Sequence, residues 1–518
     1  MKWIVIGEES GKIKLVSDRS TDGLLPKGSF LTVETGKAAF VLRIEGSLQL
    51  EPYAPSPLIA DMDLGPLRQD QECRNVLFAH RVLDLNPRAD GFIDFIPPQV
   101  NARRSTQGEI DKAIGGTGDG PRIFIATLYA NHNEVLKDES GRPIGTALPR
   151  ELYFHQTLIC GRTGSGKTVA AKYLAQHFVE KMGGAALAIN VKDIDFLRMN
   201  RSSTSVDPQT NEEWEALGEL PRGIDNFIVY NPPSVVIPST QDVDREVCQQ
   251  ITLDVNEIDA EALSGLLVGV TDVAAQNLPG IFRYWQEKES PSELSGSKTF
   301  SQFANYFNKG KEDKCLFRVL NVRGEESEII LHRGTFENIR RNLSVATDFF
   351  DNPSAKTIDE TDILVRGKLS VLNVAGRGGI QFGSIFLRDI LHRIYDSKSS
   401  GASKVPILIV IDEVHQFYGS ESSLQALGDL DAICRTGRSL EIGVVFSSQT
   451  QGDIPRGLAN VINTRVFFKT DAGSARQLGT DVTAEEMEGL KTGFAVVSVH
   501  GMPGIKIVKF PLSFAGVS

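Results

Sequence analysis

The stretch GRTGSGKT, Gly161 to Thr168, stands between an apolar run, YFHQTLIC, and a segment with apolar residues at helical spacing, TVAAKYLAQHFVEKM. This order of strand, glycine loop and helix constrains the fold more than any other feature. The glycines let consecutive backbone N–H groups turn toward one anion, Lys167 can reach outer phosphates, and the Thr168 hydroxyl can hold Mg²⁺. The positions facing a nucleotide are then Gly161, Thr163, Gly164, Ser165, Gly166, Lys167, Thr168 and Val169. A second apolar run, AALAINV, follows at once, which predicts a βαβ unit and a parallel sheet.

Two further signals belong to the same chemistry. In VPILIVIDEVHQF, Asp412 and Glu413 follow directly on an apolar strand. The first carboxylate can support Mg²⁺ through a bound water, and the second can polarise an attacking water. Two solvated loop acids are the alternative. Gln449 ends the strand GVVFSSQ, at the kind of strand tip where open α/β sheets bind ligands, so it is a candidate sensor of the γ-phosphate. His415 lacks the spacing of a metal-binding HExxH and reads as a helix-start residue. Arg435 and Arg438, in QALGDLDAICRTGRS, fall at a predicted helix C-terminus, where the helix dipole favours cations. They are equally readable as an arginine finger supplied to a neighbouring subunit.

The chain has 518 residues, 41% of them hydrophobic, which allows two to four domains. Its longest central apolar run, Ile407 to Ile411, is too short for a membrane helix, and its N-terminal apolar stretch is cut by Gly7 and two glutamates. A cytoplasmic protein without structural zinc is expected, because Cys73, Cys160, Cys248, Cys315 and Cys434 are scattered. The net charge of −11 argues against coating nucleic acid over the whole surface, though not against a local basic channel. Alternating β-rich runs and turns predict an N-terminal β-barrel over residues 1–130, including PRIFIATLY and DGFIDFIP, with TQGEIDKAIGGTGDGP read as a glycine-rich loop. A connector or hairpin is expected over 131–150. The α/β core then runs through 151–240, is interrupted by a helical insertion over 241–360, and is completed by 361–518.

The order of these pieces resembles the HerA/FtsK group of P-loop ATPases, and specifically bacterial HerA-like ATPases. The resemblance runs from about 150 to 512 through ICGRTGSGKT, LAINVKDIDFL, GKLSVLNVAG, ILIVIDEVHQF, CRTGRSLEIGVVFSSQTQGDIPRGLANVINTRVFFK and LKTGFAVVSVHG. It implies a RecA-like core behind a barrel of the HAS type. It further implies a homohexameric ring with ATP and Mg²⁺ held between subunits, and double-stranded DNA drawn through the pore. Lys167 and Thr168 would bind phosphate and Mg²⁺, Asp412 would support the metal, Glu413 would activate water and Gln449 would sense the phosphate. Arg438, and next Arg435, would be the trans finger, with Arg465 of NTRVFF a further nucleotide-side candidate.

Family members that pair with a DNA end-processing nuclease often carry an Arg-His pair before the loop strand and an Asp-His-Gly-Glu-like run after the second strand. Here FHQ (154–156) and NVKDIDF (190–196) stand instead. The departure turns the expectation from end-resection in repair toward anti-phage defence, with a partner nuclease or a sirtuin-like NAD-consuming effector. The alternatives are an ATP-switched platform that organises such a partner without moving DNA, and a repair helicase. A kinase is disfavoured by the paired acids. Basic side chains for a pore could come from HRGTFENIRRN (332–342) or AGRGGIQFG (375–383), which are otherwise solvated faces.

Overall fold

The computed structural model describes residues 3–9, 11–17, 23–36, 38–50, 74–88, 90, 94–115, 118–129, 132–138, 140–192, 194–233, 235, 243–267, 277–289, 298–310, 312, 314–376, 378–417, 428–454, 456–471, 473, 482–502 and 506–517. Cys73, Arg377 and the first three residues of the QALGDLDAICRTGRS run, 425–427, lie outside them.

Six strands close into an antiparallel barrel: Trp3–Glu9, Lys12–Ser17, Phe30–Glu34, Ala39–Leu50, Arg74–Asp84 and Asn101–Arg104. Their period-two pattern sends Trp3 and Val5 inward against Leu15, Leu31, Leu42 and Leu77, while Ile4 and Ile6 face out. The barrel differs from its sequence-based outline in two places. Residues 94–97 of DGFIDFIP form no strand. Arg122–Tyr129 joins the large sheet instead, pairing with Ile507–Lys509 on one side and with His132–Val135 and Gly145–Ala147 on the other. TQGEIDKAIGGTGDGP, expected as a loop, contains the helix Gln107–Ile114. Its start is a capping box in which Thr106 accepts from Glu109 N and Glu109 Oε2 accepts from Thr106 N at 2.8 Å. Ile110 and Ile114 bury its inner face.

Among the described residues the large sheet has thirteen strands. Eight run parallel, in the order Cys248–Gln250, Phe227–Asn231, Leu369–Asn373, Ala185–Asn190, Ile407–Ile411, Ile442–Ser448, Thr157–Cys160, Thr464–Phe467. Antiparallel strands Phe494–Ser498, Ile507–Lys509 and Arg122–Tyr129 extend it. Both faces of the parallel part are covered, so its strands are continuously apolar. Leu187, Ile409 and Phe446 pack under the helices Gly379–Ser399 and Gly428–Leu440, while Ala188, Val410 and Val445 pack under Lys167–Glu180. This is a three-layer α/β core.

The residues between Phe227–Asn231 and Leu369–Asn373 supply the sheet's edge strand and a set of helices that share the core of one face. Phe282 and Phe303 meet edge to face there, and Phe300 stacks on Phe350 at 4.0 Å. The segment is not purely helical. Leu316–Leu320 and Glu326–Ile330 form a hairpin, because Phe317 and Val319 alternate inward and Gly324 takes the left-handed turn position at φ +79°.

Candidate nucleotide site

The loop Gly161–Gly166 leaves the strand Thr157–Cys160, which is buried between two parallel neighbours, and enters the helix Lys167–Glu180. Close packing fixes the glycines. A Cβ on Gly161 would lie 2.6 Å from Ser165 Oγ and 2.8 Å from Phe468 Cβ. Gly166 sits at φ +110°, and its Cβ would fall 3.1 Å from Gly493 N. The outer wall comes from the antiparallel side of the sheet. Gly493 N donates to Ser165 O at 3.0 Å, Thr492 Oγ1 to Gly164 O at 3.3 Å and Arg162 N to Lys469 O at 2.7 Å.

Lys167 is buried and its ammonium donates to the carbonyls of Gly161 at 2.7 Å and Arg162 at 3.2 Å. Burial lowers its pKa, opposed by the carboxylates of Glu413 and Asp412. Ser165 Oγ is buried with no hydrogen-bond partner among the described residues. A cradle that side chains would fill, an unpartnered buried hydroxyl, a lysine and a helix N-terminus together fit a phosphate group. Thr168, half-buried on the first turn of that helix, fits a metal bound to the phosphate. Cys160, below the loop, is inert: burial pushes its thiol up to about 12.

The two acids end the strand Ile407–Ile411, two places along the sheet from the loop strand. Asp412 is buried and accepts from Glu413 N at 3.0 Å. Burial raises its carboxyl above the usual range, and the adjacent Glu413 adds to the rise. Such a carboxylate is stabilised by a cation, which fits a place beside Mg²⁺. Glu413, 4% exposed, adopts a left-handed backbone at φ +45°. Its Oε1 accepts from Lys192 Nζ. Its Oε2 accepts from Gln449 Nε2 at 3.4 Å and lies 3.5 Å from His415 Nδ1. Gln449 stands at the tip of Ile442–Ser448, the strand between the acids and the loop.

No protein-family model matches the chain. Over 250 residues it is 23% identical to the DNA double-strand break repair helicase HerA of Sulfurisphaera tokodaii, a match spanning 45% of this chain and 49% of that protein. The chain thus spans about half the length of the curated relative it matches. Among solved structures, the conjugative coupling protein TrwBdeltaN70 superposes with a TM-score of 0.48 at 14% identity, covering 80% of this chain and 92% of its own. VirB4 of Thermoanaerobacter pseudethanolicus does so at 0.43 and 11%, covering 73% and 94%.

The structure brings together the loop residues, Asp412, Glu413 and Gln449. The arginines are elsewhere. Arg435 and Arg438 lie in the last turns of Gly428–Leu440, which ends where Ile442–Ser448 begins, and that strand pairs in parallel with the loop strand. They are therefore at the opposite end of the sheet from the loop, roughly 20 Å away by strand rise. Arg438 is exposed, and its charge helps burial and His500 hold down the pKa of His155, which stacks on His500 at 4.3 Å. Arg465 lies within its strand opposite Leu158 and donates to Ala459 O at 3.2 Å.

Several site residues escaped the sequence reading: Lys192, the wall formed by Thr492 and Gly493, and Asp453. Asp453 accepts from Ser448 Oγ and from Thr450 N at 3.1 Å, and lies 3.9 Å from His415. Against its burial, these bonds hold its carboxyl below the usual range. His415 belongs to a single 3₁₀ turn, Val414–Gln416, rather than to a helix start. HRGTFENIRRN opens the helix Arg333–Ala346, with Arg340 paired to Glu337 at 2.7 Å.

Proposed function

We propose that the protein is an ATP-hydrolysing motor of the HerA type that assembles as a hexameric ring and translocates double-stranded DNA. The observation that carries this reading is the convergence of Asp412, Glu413 and Gln449 on the tips of two adjacent strands, the nearer of which adjoins the phosphate-loop strand. Within such a site Lys167 and the loop N–H groups hold the phosphates, and Glu413 accepts a proton from the attacking water, which Gln449 helps to orient. Mg²⁺, held by Thr168 and through water by Asp412, would neutralise charge on the phosphates.

The position of Arg438 supports the ring. An arginine at the far end of the sheet cannot reach its own loop, but can serve the loop of a neighbouring subunit as a trans finger. The 250-residue match to HerA supports duplex DNA as the track. A partner nuclease or NAD-consuming effector, in anti-phage defence, completes the reading. ATP-dependent displacement of a third strand from a DNA triplex tests it: displacement supports translocation, and its failure under conditions of full ATP turnover refutes it.

One observation favours a second reading, an ATP-switched platform that restrains a partner without moving DNA. The chain carries a net charge of −11, and the Arg333–Ala346 helix spends Arg340 on an internal ion pair. ATP turnover that ignores DNA but changes when the partner is bound would establish it.

A further inference from the structure

In the run NVKDIDF the structure places the lysine beside Glu413. Ala185–Asn190 pairs in parallel with Ile407–Ile411, with Ile189 opposite Ile411, so both chains leave the sheet side by side. Lys192 thereby meets Glu413 although 221 residues separate them. Its Nζ donates to Oε1, while Oε2 of the same carboxylate is left to Gln449 and His415.

Two features show that Glu413 needs such a partner. Its carboxylate is almost fully buried, and an ionised group there requires a cation. The other ammonium nearby, Lys167, donates to Gly161 O and Arg162 O. Glu413 also sits on a left-handed backbone, a conformation that persists in a non-glycine residue only where surrounding contacts hold it.

We infer that Lys192 is a positioning residue for Glu413: its ammonium pins Oε1 and so fixes Oε2 in one orientation toward the attacking water. The inference rests on the reading of Glu413 as the base. It predicts an effect on the chemical step and none on nucleotide affinity, since Lys192 acts through the carboxylate.

The test compares Lys192→Met, Lys192→Arg, Glu413→Gln and the Lys192→Met/Glu413→Gln double variant in the full chain. Steady-state ATP turnover, binding of a fluorescent ATP analogue and thermal melting are measured for each. Lys192→Met should lower kcat about 10- to 100-fold, the scale of a misplaced catalytic group, with unchanged KM and analogue affinity. Lys192→Arg should recover most of the loss, and the double variant should be no slower than Glu413→Gln alone. The Arg variant also keeps the test readable if Lys192→Met folds poorly: an Arg variant as slow as an unfolded one overturns the inference. Normal turnover by Lys192→Met beside an inactive Glu413→Gln overturns the inference alone. A raised KM, or additive losses in the double variant, assigns Lys192 to the nucleotide and also overturns it. Normal turnover by Glu413→Gln instead removes the reading of the base beneath it.

Discussion

Gln449 Nε2 donates to Glu413 Oε2 at 3.4 Å, tying together the tips of two adjacent parallel strands. The two side chains come from separate motifs, yet the sheet register makes them one unit. In the proposed mechanism one is the proton acceptor and the other the amide that orients its water, so their losses should not be independent.

Glu413→Gln should therefore lower kcat by about 10² to 10⁴, the usual worth of a general base, while ATP binding persists. Gln449→Ala should lower kcat less, and adding it to Glu413→Gln should cost little more. Phosphate release and nucleotide binding, measured on the same samples, check this. Loss of ATP binding in Glu413→Gln would instead make the residue structural.

Arg438 and the phosphate loop occupy opposite ends of the same strand pair. Arg438→Ala should then reduce turnover by about 10³ or more, the scale of an arginine finger, and so should Lys167→Ala. Mixed, the two inactive variants should regain activity, because some interfaces of a mixed ring join an intact loop to an intact arginine. Mixtures that stay inactive after verified subunit exchange contradict a trans role for Arg438.

A pH effect is expected away from the site. His177 lies in the last turn of the phosphate-loop helix with its Nδ1 3.0 Å from the Tyr153 hydroxyl, and burial, helped by Lys181, lowers its pKa from 6.5 to about 4. The folded state thus refuses a proton that the unfolded chain takes up below pH 6.5. The neutral histidine's contribution is complete above that pH and is lost as pH falls through about 4, at about 1.4 kcal/mol per pH unit. His177→Phe removes this titration, and Tyr153 keeps its bond to Leu174 O. Denaturant melts from pH 7 to 4.5 should show the wild type losing stability relative to the variant. Parallel curves would contradict the assignment.

Much of the site is legible in sequence because its residues follow strands directly. GRTGSGKT, Asp412–Glu413 and Gln449 each sit one step beyond an apolar run, and parallel pairing sends all such tips to one edge. What pattern cannot show is which tips are neighbours. Lys192 also follows a strand, but its contact with Glu413 depends on the strand order, which chain proximity does not encode. The wall of Thr492 and Gly493 depends on antiparallel strands added after the core. Two misreadings had usable signals: Thr106 and Glu109 spell a capping box, and the alternation at Leu316–Leu320 spells a strand. Arg122–Tyr129 had none, since a strand pairs with a barrel or a sheet through the same backbone groups.

ATP turnover by the full chain, with and without duplex DNA at low salt, bears most directly on the motor. Turnover should rise with added duplex, fall back as salt screens the phosphate contacts, and vanish in Glu413→Gln. Turnover that stays level across every duplex concentration at low salt would contradict DNA translocation.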